Sequence, residues 1–327
     1  MAKNDLTPKD FDTAVKNMAL LSTEIKKIVY GQDRVIDLIQ TSLLSNGHTV
    51  LMGVPGLAKT LLAQTLATII SIKTARIQCT PDLMPSDIIG AEVLEEDLNG
   101  KRNFRFIKGP VFTNILLVDE INRASPRTQS ALLQAMQERE VSIAGHTHKL
   151  ETPFHVIATQ NPIEQDGTYP LPEAQLDRFM MQIKIDYPDL KAEKEMLKAT
   201  TTGDLPKAAA SLKKADLLTA QDVVLNMPIG EKVVDAILTL VRNLRPSESD
   251  NKDIQNYVAW APGPRASQAL SIASRAYALI NGRETPSIDD VIAIAIPVLE
   301  HRMALNFLAE TENVTKEKLI QQLCKTL

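Results

Sequence analysis

The stretch His48-Thr-Val-Leu-Met-Gly-Val-Pro-Gly-Leu-Ala-Lys-Thr60 decides the fold of this chain. Residues 49–52 predict a buried parallel strand, because such strands are covered on both faces. A glycine-containing turn follows, and then a helix predicted from Leu61 to Ile70. Strand, glycine loop and helix in this order are the setting of a P-loop, in which backbone N–H groups and a helix N-terminus bind phosphate.

The predicted phosphate-binding segment includes one departure from the general motif. Ala58 stands where the second glycine is usual. Alanine suits the first turn of a helix, so we expect the cost of this alanine to be reduced steric room near the phosphates. Lys59 is expected to reach the β- and γ-phosphates, and the Thr60 hydroxyl to hold Mg²⁺. The alternative is a structural glycine turn before a helix. The predicted nucleotide-binding residues here are Gly53, Val54, Pro55, Gly56, Leu57, Ala58, Lys59, Thr60 and Leu61.

Size and composition predict a soluble chain with two domains. It has 327 residues, 44% of them hydrophobic, and no apolar run approaches the roughly 18 residues of a membrane-spanning helix. The polar N-terminus leads into no apolar signal sequence, and the distant Cys79 and Cys324 favour reduced thiols over a metal site. We therefore expect a cytoplasmic protein. A formal net charge of −4 does not suit general nucleic-acid binding, which needs a basic surface.

A second strong signal is the run Ile115-Leu-Leu-Val-Asp119-Glu120. Its apolar residues predict a central strand, and the two carboxylates follow at the strand's C-terminal end, where ligands bind in open α/β sheets. Asp119 is expected to help hold Mg²⁺, and Glu120 to polarise the water that attacks the γ-phosphate. Such a run is common by itself. After a P-loop and one crossover, it indicates nucleotide hydrolysis.

Three polar residues further along are candidates for the same chemistry. Asn161 follows a predicted strand, 155–159, and could orient the attacking water, although a turn asparagine before proline is the alternative. Arg178 precedes the last predicted strand, 180–185, and by itself resembles any surface arginine. Arg265 begins a predicted helix, where the dipole disfavours a cation. A nearby anion would explain Arg265 better than helix stability does, and a solvated arginine is the alternative.

Two hairpins are predicted outside the sheet. Segments 91–94 and 104–107 flank the turn-forming pair Asn99-Gly100. Segments 140–144 and 148–152 flank Gly145-His146-Thr147. His146 and His148 would share a face of the second hairpin. Because two ligands do not make a metal site, we expect solvated histidines there.

The chain is predicted to divide near Tyr187-Pro-Asp189, after which the hydrophobic periodicity is helical only. Residues 1–187 would form an α/β nucleotide-binding domain that begins with helices at about 7–29 and 35–44. Residues 188–327 would form a helical domain. Its main helices are predicted at 192–200, 213–226, 233–245, 265–281, 288–298 and 316–323.

Taken together, these motifs resemble those of AAA+ ATPases of the MoxR family, over nearly the whole chain. They are Tyr30-Gly31-Gln32, Gly53–Thr60, Leu116–Glu120, Thr159–Asn161, Leu176–Phe179 and Pro264-Arg265. The resemblance implies a P-loop NTPase fold, with an αβα core around a parallel five-stranded sheet, followed by an all-α lid. It also implies that the 82–108 hairpin is an insertion in the second core helix, and that the 140–152 hairpin precedes sensor 1. Magnesium chelatase and minichromosome-maintenance helicases share both features.

The same resemblance implies roles for particular residues. Gly31 and Gln32 would lie beside the adenine, although Gly31 could also be a plain turn between helices. Asn161 looks like sensor 1 and Arg265 like sensor 2. Arg178 looks like an arginine finger that acts on the nucleotide of a neighbouring subunit. ATP and Mg²⁺ are the implied cofactors, and a hexameric ring is the implied assembly.

Three functions compete at this stage. The leading hypothesis is Mg²⁺-dependent ATP hydrolysis that drives chaperone-like remodelling or maturation of protein complexes. The resemblance implies that such remodelling can include the insertion of metal cofactors, and that it often involves a partner with a von Willebrand factor A domain. The alternatives are a nucleic-acid motor related to the helicases and a non-hydrolysing, nucleotide-gated scaffold. A scaffold should lose the base or the sensor, whereas this chain retains Glu120 and Asn161.

Overall fold

The computed structural model describes residues 7–96, 102–162, 167–201 and 207–327. The predicted Asn99-Gly100 turn lies outside these residues. The described strands are β1 (Thr49–Met52), β2 (Thr74–Gln78), β3 (Gly90–Glu96), β4 (Arg102–Lys108), β5 (Ile115–Asp119), β6 (Glu140–Ile143), β7 (His146–Lys149), β8 (His155–Gln160), β9 (Met181–Lys184), β10 (Val258–Trp260) and β11 (Ala304–Leu305).

Helices surround these strands and make up most of the C-terminal part. They are α1 (Pro8–Lys26), α2 (Asp33–Leu44), α3 (Lys59–Ile70), α4 (Pro85–Ile89), α5 (Pro126–Glu138), α6 (Glu173–Leu176), α7 (Leu190–Thr200), α8 (Lys214–Asn226), α9 (Glu231–Asn243), α10 (Lys252–Tyr257), α11 (Pro264–Ile280), α12 (Ile288–Leu299), α13 (Phe307–Thr311) and α14 (Lys316–Cys324). Short 3₁₀ helices cover Ile121–Arg123 and Glu300–Arg302. Within the described ranges, no helix is both long and apolar enough to cross a membrane.

A parallel five-stranded sheet in the order β2-β5-β8-β1-β9 is the centre of the fold. Its strands are buried on both faces, which explains their nearly continuous apolar runs. Leu51 and Leu117 belong to one hydrophobic cluster, which continues into the C-terminal helices. Val50 and Val118 belong to a second cluster, on which α5 packs. β8 occupies the middle of the sheet; the predicted central strand, β5, is interior but lies one place nearer the edge.

Both predicted hairpins lie outside this sheet as antiparallel pairs, β3 with β4 and β6 with β7. In the second hairpin the turn is tighter than predicted, because β7 already begins at His146 and pairs it with Ile143. The His148 ring stacks on Phe106 of the first hairpin, with ring centroids 4.2 Å apart. This contact joins the two hairpins to each other.

The C-terminal part is helical, as predicted, except for one short ladder. β10 and β11 form an antiparallel pair, so the expectation of helices only is wrong at this point. Strands of three and two residues are too short to show the alternation that identifies a strand. The short helices α10 and α13 were not predicted either. The domain boundary after residue 187 stays a prediction; β9 ends at Lys184, and α7 begins at Leu190.

The buried Arg302 ties the C-terminal part to the segment that follows α6. Only 3% of Arg302 is exposed. Its Nε donates to Asp177 Oδ1 at 2.8 Å, and its Nη2 donates to the Phe179 carbonyl at 2.6 Å. His301 Nε2 contacts the same carbonyl at 3.0 Å. Arg178 lies within this held segment, so its position depends on the packing of the C-terminal helices.

Replacing Arg302 by methionine should destabilise the fold strongly. Arg302→Met removes the buried cation from the Asp177 carboxylate and one of the two partners of the Phe179 carbonyl, and breaking a buried pair in this way costs about 3–5 kcal/mol. Urea unfolding followed by circular dichroism measures the loss. The matched control is Arg242→Met, which breaks an exposed pair with Glu248 and should cost about 1 kcal/mol or less. Equal losses of unfolding free energy in the two variants would contradict a special contribution of the buried Arg302–Asp177 pair.

Candidate active site

The P-loop joins β1 to α3 through a backbone that turns left-handed at two residues. Gly56 has φ 87°, and Ala58 has φ 55° and ψ 21° as the residue that caps α3. The expectation that Ala58 suits the first helical turn is therefore wrong. The cost of alanine at this position is backbone strain, because the left-handed conformation is unfavourable by about 1–2 kcal/mol for a residue with a Cβ. Strain of this kind is typical of functional sites.

A cavity of about 400 Å³ lies above this loop, and we call it the P-loop cavity. It brings together nine of the predicted site residues, and the five expected to act on the phosphates, Mg²⁺ or the attacking water are Lys59, Thr60, Asp119, Glu120 and Asn161. Lys59 Nζ donates to the Gly53 carbonyl at 2.7 Å, so the lysine folds back across the loop. The other lining residues are Pro55, Gly56, Ala58, Leu61, Arg76, Gln78 and Thr159.

The two acidic residues at the end of β5, Asp119 and Glu120, are both contacted by Thr159 of the neighbouring strand β8. Thr159 Oγ1 accepts a hydrogen bond from the Glu120 N–H at 2.9 Å and donates to Asp119 Oδ1 at 3.3 Å. Glu120 has a left-handed backbone, with φ 55°, and its carboxylate pairs with Arg123 at 3.0 Å. Thr159 therefore holds the Glu120 backbone and the Asp119 carboxylate in place.

Sequence reasoning missed three lining residues of this cavity, Thr159, Arg76 and Gln78. Within the motif Thr159–Asn161 the sequence assigns Thr159 no role, although a hydroxyl beside two carboxylates becomes a signal once β5 and β8 are known to be neighbours. Arg76 was not singled out either. Its Nε donates to Asp119 Oδ2 at 2.7 Å from the edge strand β2. The available signal was a cation within a strand of an α/β sheet.

The residues predicted beside the adenine, Gly31 and Gln32, lie between α1 and α2 and pack against the segment that leads into α7. Gln32 Nε2 donates to the Asp186 carbonyl at 2.9 Å. Gly31 has φ 67°, and a Cβ on it would come within 2.6 Å of the Ala192 Cβ. A Cβ on Gly53 would come within 2.8 Å of the Ile185 carbonyl oxygen. Gly31 therefore does more than join two helices, because its lack of a side chain permits this close packing.

Two further predicted residues, Arg178 and Arg265, line a different cavity, of about 360 Å³, which we call the arginine cavity. Arg265 Nη1 lies 3.5 Å from Asp177 Oδ2. The anion expected near Arg265 is thus Asp177 in this structure. The cavity is lined by Asn46, Gly47, His48, Met136, Gln137, Arg139, Asp177, Arg178, Met180, Arg265, Gln268, Ala269, Ile272 and Arg302.

The charges of the arginine cavity favour an anion. Four arginines and one aspartate line it. Burial, together with the neighbouring His155, lowers the pKa of His48 to about 3, so this imidazole is neutral. Asp177 already divides its carboxylate between Arg265 and Arg302. An excess of positive charge therefore remains on the side where Arg178 lies.

Comparisons with known proteins agree with this arrangement. Residues 48–181 match the family model described as "ATPase family associated with various cellular activities (AAA)", and residues 251–323 match an AAA lid domain. The chain is 41% identical to Chaperone MoxR1 of Mycobacterium tuberculosis, over 93% of this chain and 80% of that protein. It is 29% identical to Protein MoxR of Paracoccus denitrificans, over 90% of each. The crystal structure of a presumed ATPase from Cytophaga hutchinsonii matches with a TM-score of 0.90 and 37% identity, over 98% of this chain and 96% of that one.

Proposed function

We propose that this chain, which belongs to the MoxR family of AAA+ ATPases, hydrolyses ATP to ADP and phosphate with the help of Mg²⁺. The fold predicted from the sequence, an AAA+ core with a helical lid, is confirmed by the matches and by the sheet order. One observation carries the proposal. The P-loop cavity gathers Lys59, Thr60, Asp119, Glu120 and Asn161, which come from three separate segments of the chain.

The donor set of this cavity fits Mg²⁺. The Thr60 hydroxyl and the Asp119 carboxylate line the same space, and hard oxygen donors of these two kinds are what Mg²⁺ accepts. When bound, the ion supplies charge neutralisation at the phosphates. Lys59 binds the phosphates, Glu120 takes a proton from the attacking water, and Asn161 orients that water.

The arginines support an assembled form of the protein. Arg178 and Arg265 line the arginine cavity, whereas the P-loop residues line the other. A cationic cavity that lies apart from its own chain's phosphate site can act on phosphates brought by a second subunit. We infer that Arg178 and Arg265 serve the nucleotide of a neighbour, and that the chain assembles as a ring, with six subunits expected from the family.

The cellular role we propose is chaperone-like remodelling of protein clients in the cytoplasm. One relative is named a chaperone. The first hairpin carries exposed apolar side chains suited to a protein client: Phe104 is 71% exposed, and Leu94 opposite it is 50% exposed. A von Willebrand factor A domain partner and metal insertion are parts of the same proposal. The named relatives give no support to a nucleic-acid motor.

Lys59→Ala should weaken ATP binding by about 10–100-fold, because it removes charge-assisted hydrogen bonds to the phosphates. Isothermal calorimetry with Mg²⁺ present measures the affinity. Lys73→Ala is the matched control, since this exposed lysine pairs loosely with Glu151 and precedes β2, at the N-terminal end of the parallel strands, whereas the P-loop follows the C-terminal end of β1. Near wild-type affinity of the Lys59→Ala protein would mean that this loop is not the nucleotide site.

A further inference from the structure

We propose that Arg76, which pairs with the Asp119 carboxylate, is a positioning residue that must release this carboxylate before a divalent cation binds there. The inference rests on the proposed function, in which Asp119 helps to hold Mg²⁺. It assigns to the edge strand β2 a part in controlling cation access to the site.

The placement of Arg76 is set by the sheet. In the β2–β5 register Arg76 lies beside Leu117, and Gln78 lies beside Asp119. Arg76 and Gln78 are two residues apart and so share a face of the strand. The Arg76 side chain runs along that face: its Nε donates to Asp119 Oδ2 at 2.7 Å, and its Nη2 donates to Gln78 Oε1 at 3.3 Å. Two hydrogen bonds therefore fix the position of the guanidinium group.

Both oxygens of the Asp119 carboxylate accept hydrogen bonds from within the chain. Its side chain is 11% exposed, and it adjoins a second carboxylate, Glu120. Oδ2 accepts from Arg76, and Oδ1 accepts from Thr159. Since burying a carboxylate beside another is costly unless it is paired, the Arg76 charge stabilises this arrangement. Asp119 therefore keeps its direction before any ligand arrives.

The same contact works against a free divalent cation. Arg76 and the cation would use the same carboxylate charge and would repel each other at this distance. The Arg76 side chain is 53% exposed, so it can leave Asp119 without unfolding the strand. Nucleotide phosphates would supply the additional negative charge that favours this release. Arg76 thereby biases the site toward a cation that arrives with nucleotide rather than alone.

The test uses Mn²⁺ alone as the probe, with the full-length, nucleotide-free protein. Free Mn²⁺ gives a six-line electron paramagnetic resonance signal that is lost on binding. Arg76→Gln should bind Mn²⁺ about fivefold more tightly than wild type, the equivalent of an ion pair worth about 1 kcal/mol. Arg76→Lys keeps the positive charge and should stay within about twofold of wild type.

Two further variants make the test specific. Arg242→Gln is the matched control, because Arg242 also pairs through its Nε at 2.7 Å, with Glu248 on the lid, and it should leave Mn²⁺ affinity unchanged. The double variant Arg76→Gln with Asp119→Asn should lose the gain. Unchanged or weaker Mn²⁺ binding by Arg76→Gln, or a gain that survives in the double variant, would overturn the inference. The proposed function fails separately, through absent ATP binding by the wild-type protein.

Discussion

The Glu120→Gln protein is expected to bind ATP with near wild-type affinity, while its steady-state turnover falls by about 10²–10⁴-fold, the usual contribution of a general base. Glutamine keeps the size of glutamate and most of its hydrogen bonds but cannot accept the proton of the attacking water. Calorimetry measures ATP binding, and release of inorganic phosphate measures turnover. Binding and chemistry should therefore separate in this one variant.

The geometry around Glu120 indicates that Glu120→Gln should change turnover without disturbing ATP binding. The backbone N–H of Glu120 is held by Thr159, whose hydroxyl also contacts Asp119. Neither contact involves the Glu120 side chain, so the substitution should leave the loop and the neighbouring carboxylate in place. The side chain itself pairs with Arg123, and a glutamine oxygen can still accept that hydrogen bond.

Arg123→Gln supplies the matched control for this experiment. It breaks the same ion pair from the other side but leaves the Glu120 carboxylate able to accept a proton. If Glu120 acts as the base, Arg123→Gln should lower turnover by less than about tenfold, well short of the loss of a general base. Equal losses in both variants would point to a structural ion pair instead, and an active Glu120→Gln protein would exclude the role of base.

The fold could be predicted from the sequence where its physical signal is local. β1 and β2 lie at the predicted residues: turn-forming residues follow both strands, and Val50, Leu51 and Met52 of β1 are apolar. Hydrophobic periodicity does not predict strands that are only two or three residues long. β10 and β11 gain their place from packing in the C-terminal part, and two or three residues cannot show a period.

Within the candidate site, the sequence predicts the residues that belong to recognisable motifs and misses the others. Lys59, Thr60 and the two acids after β5 belong to sequence patterns with known chemistry. Thr159 and Arg76 depend instead on which strands are neighbours. The order β2-β5-β8 brings both residues to Asp119, and no local pattern states that order. The backbone of Ala58 escaped prediction for a related reason, since the loop as a whole imposes it.

The other large effect is expected at Arg178, and it concerns which subunit this residue serves. Arg178→Ala should bind ATP normally but hydrolyse it poorly, because an arginine finger stabilises charge that develops during transfer, an effect worth about 10³–10⁵-fold in GTPases. Arg178 lines the arginine cavity together with Arg265, and the P-loop residues line the other cavity. The finger is therefore expected to act across a subunit interface.

Mixing two inactive variants tests this directly. When Arg178→Ala subunits are combined with Glu120→Gln subunits, some interfaces pair an intact Glu120 site with an intact Arg178, and phosphate release should partly recover. Lys59→Ala mixed with Glu120→Gln is the control. Both of these lesions lie in the P-loop cavity, so every site stays defective and nothing should recover. If Arg178 acted within its own chain, its mixture would behave like the control. No recovery in mixed rings verified by native mass spectrometry would therefore count against action across the interface.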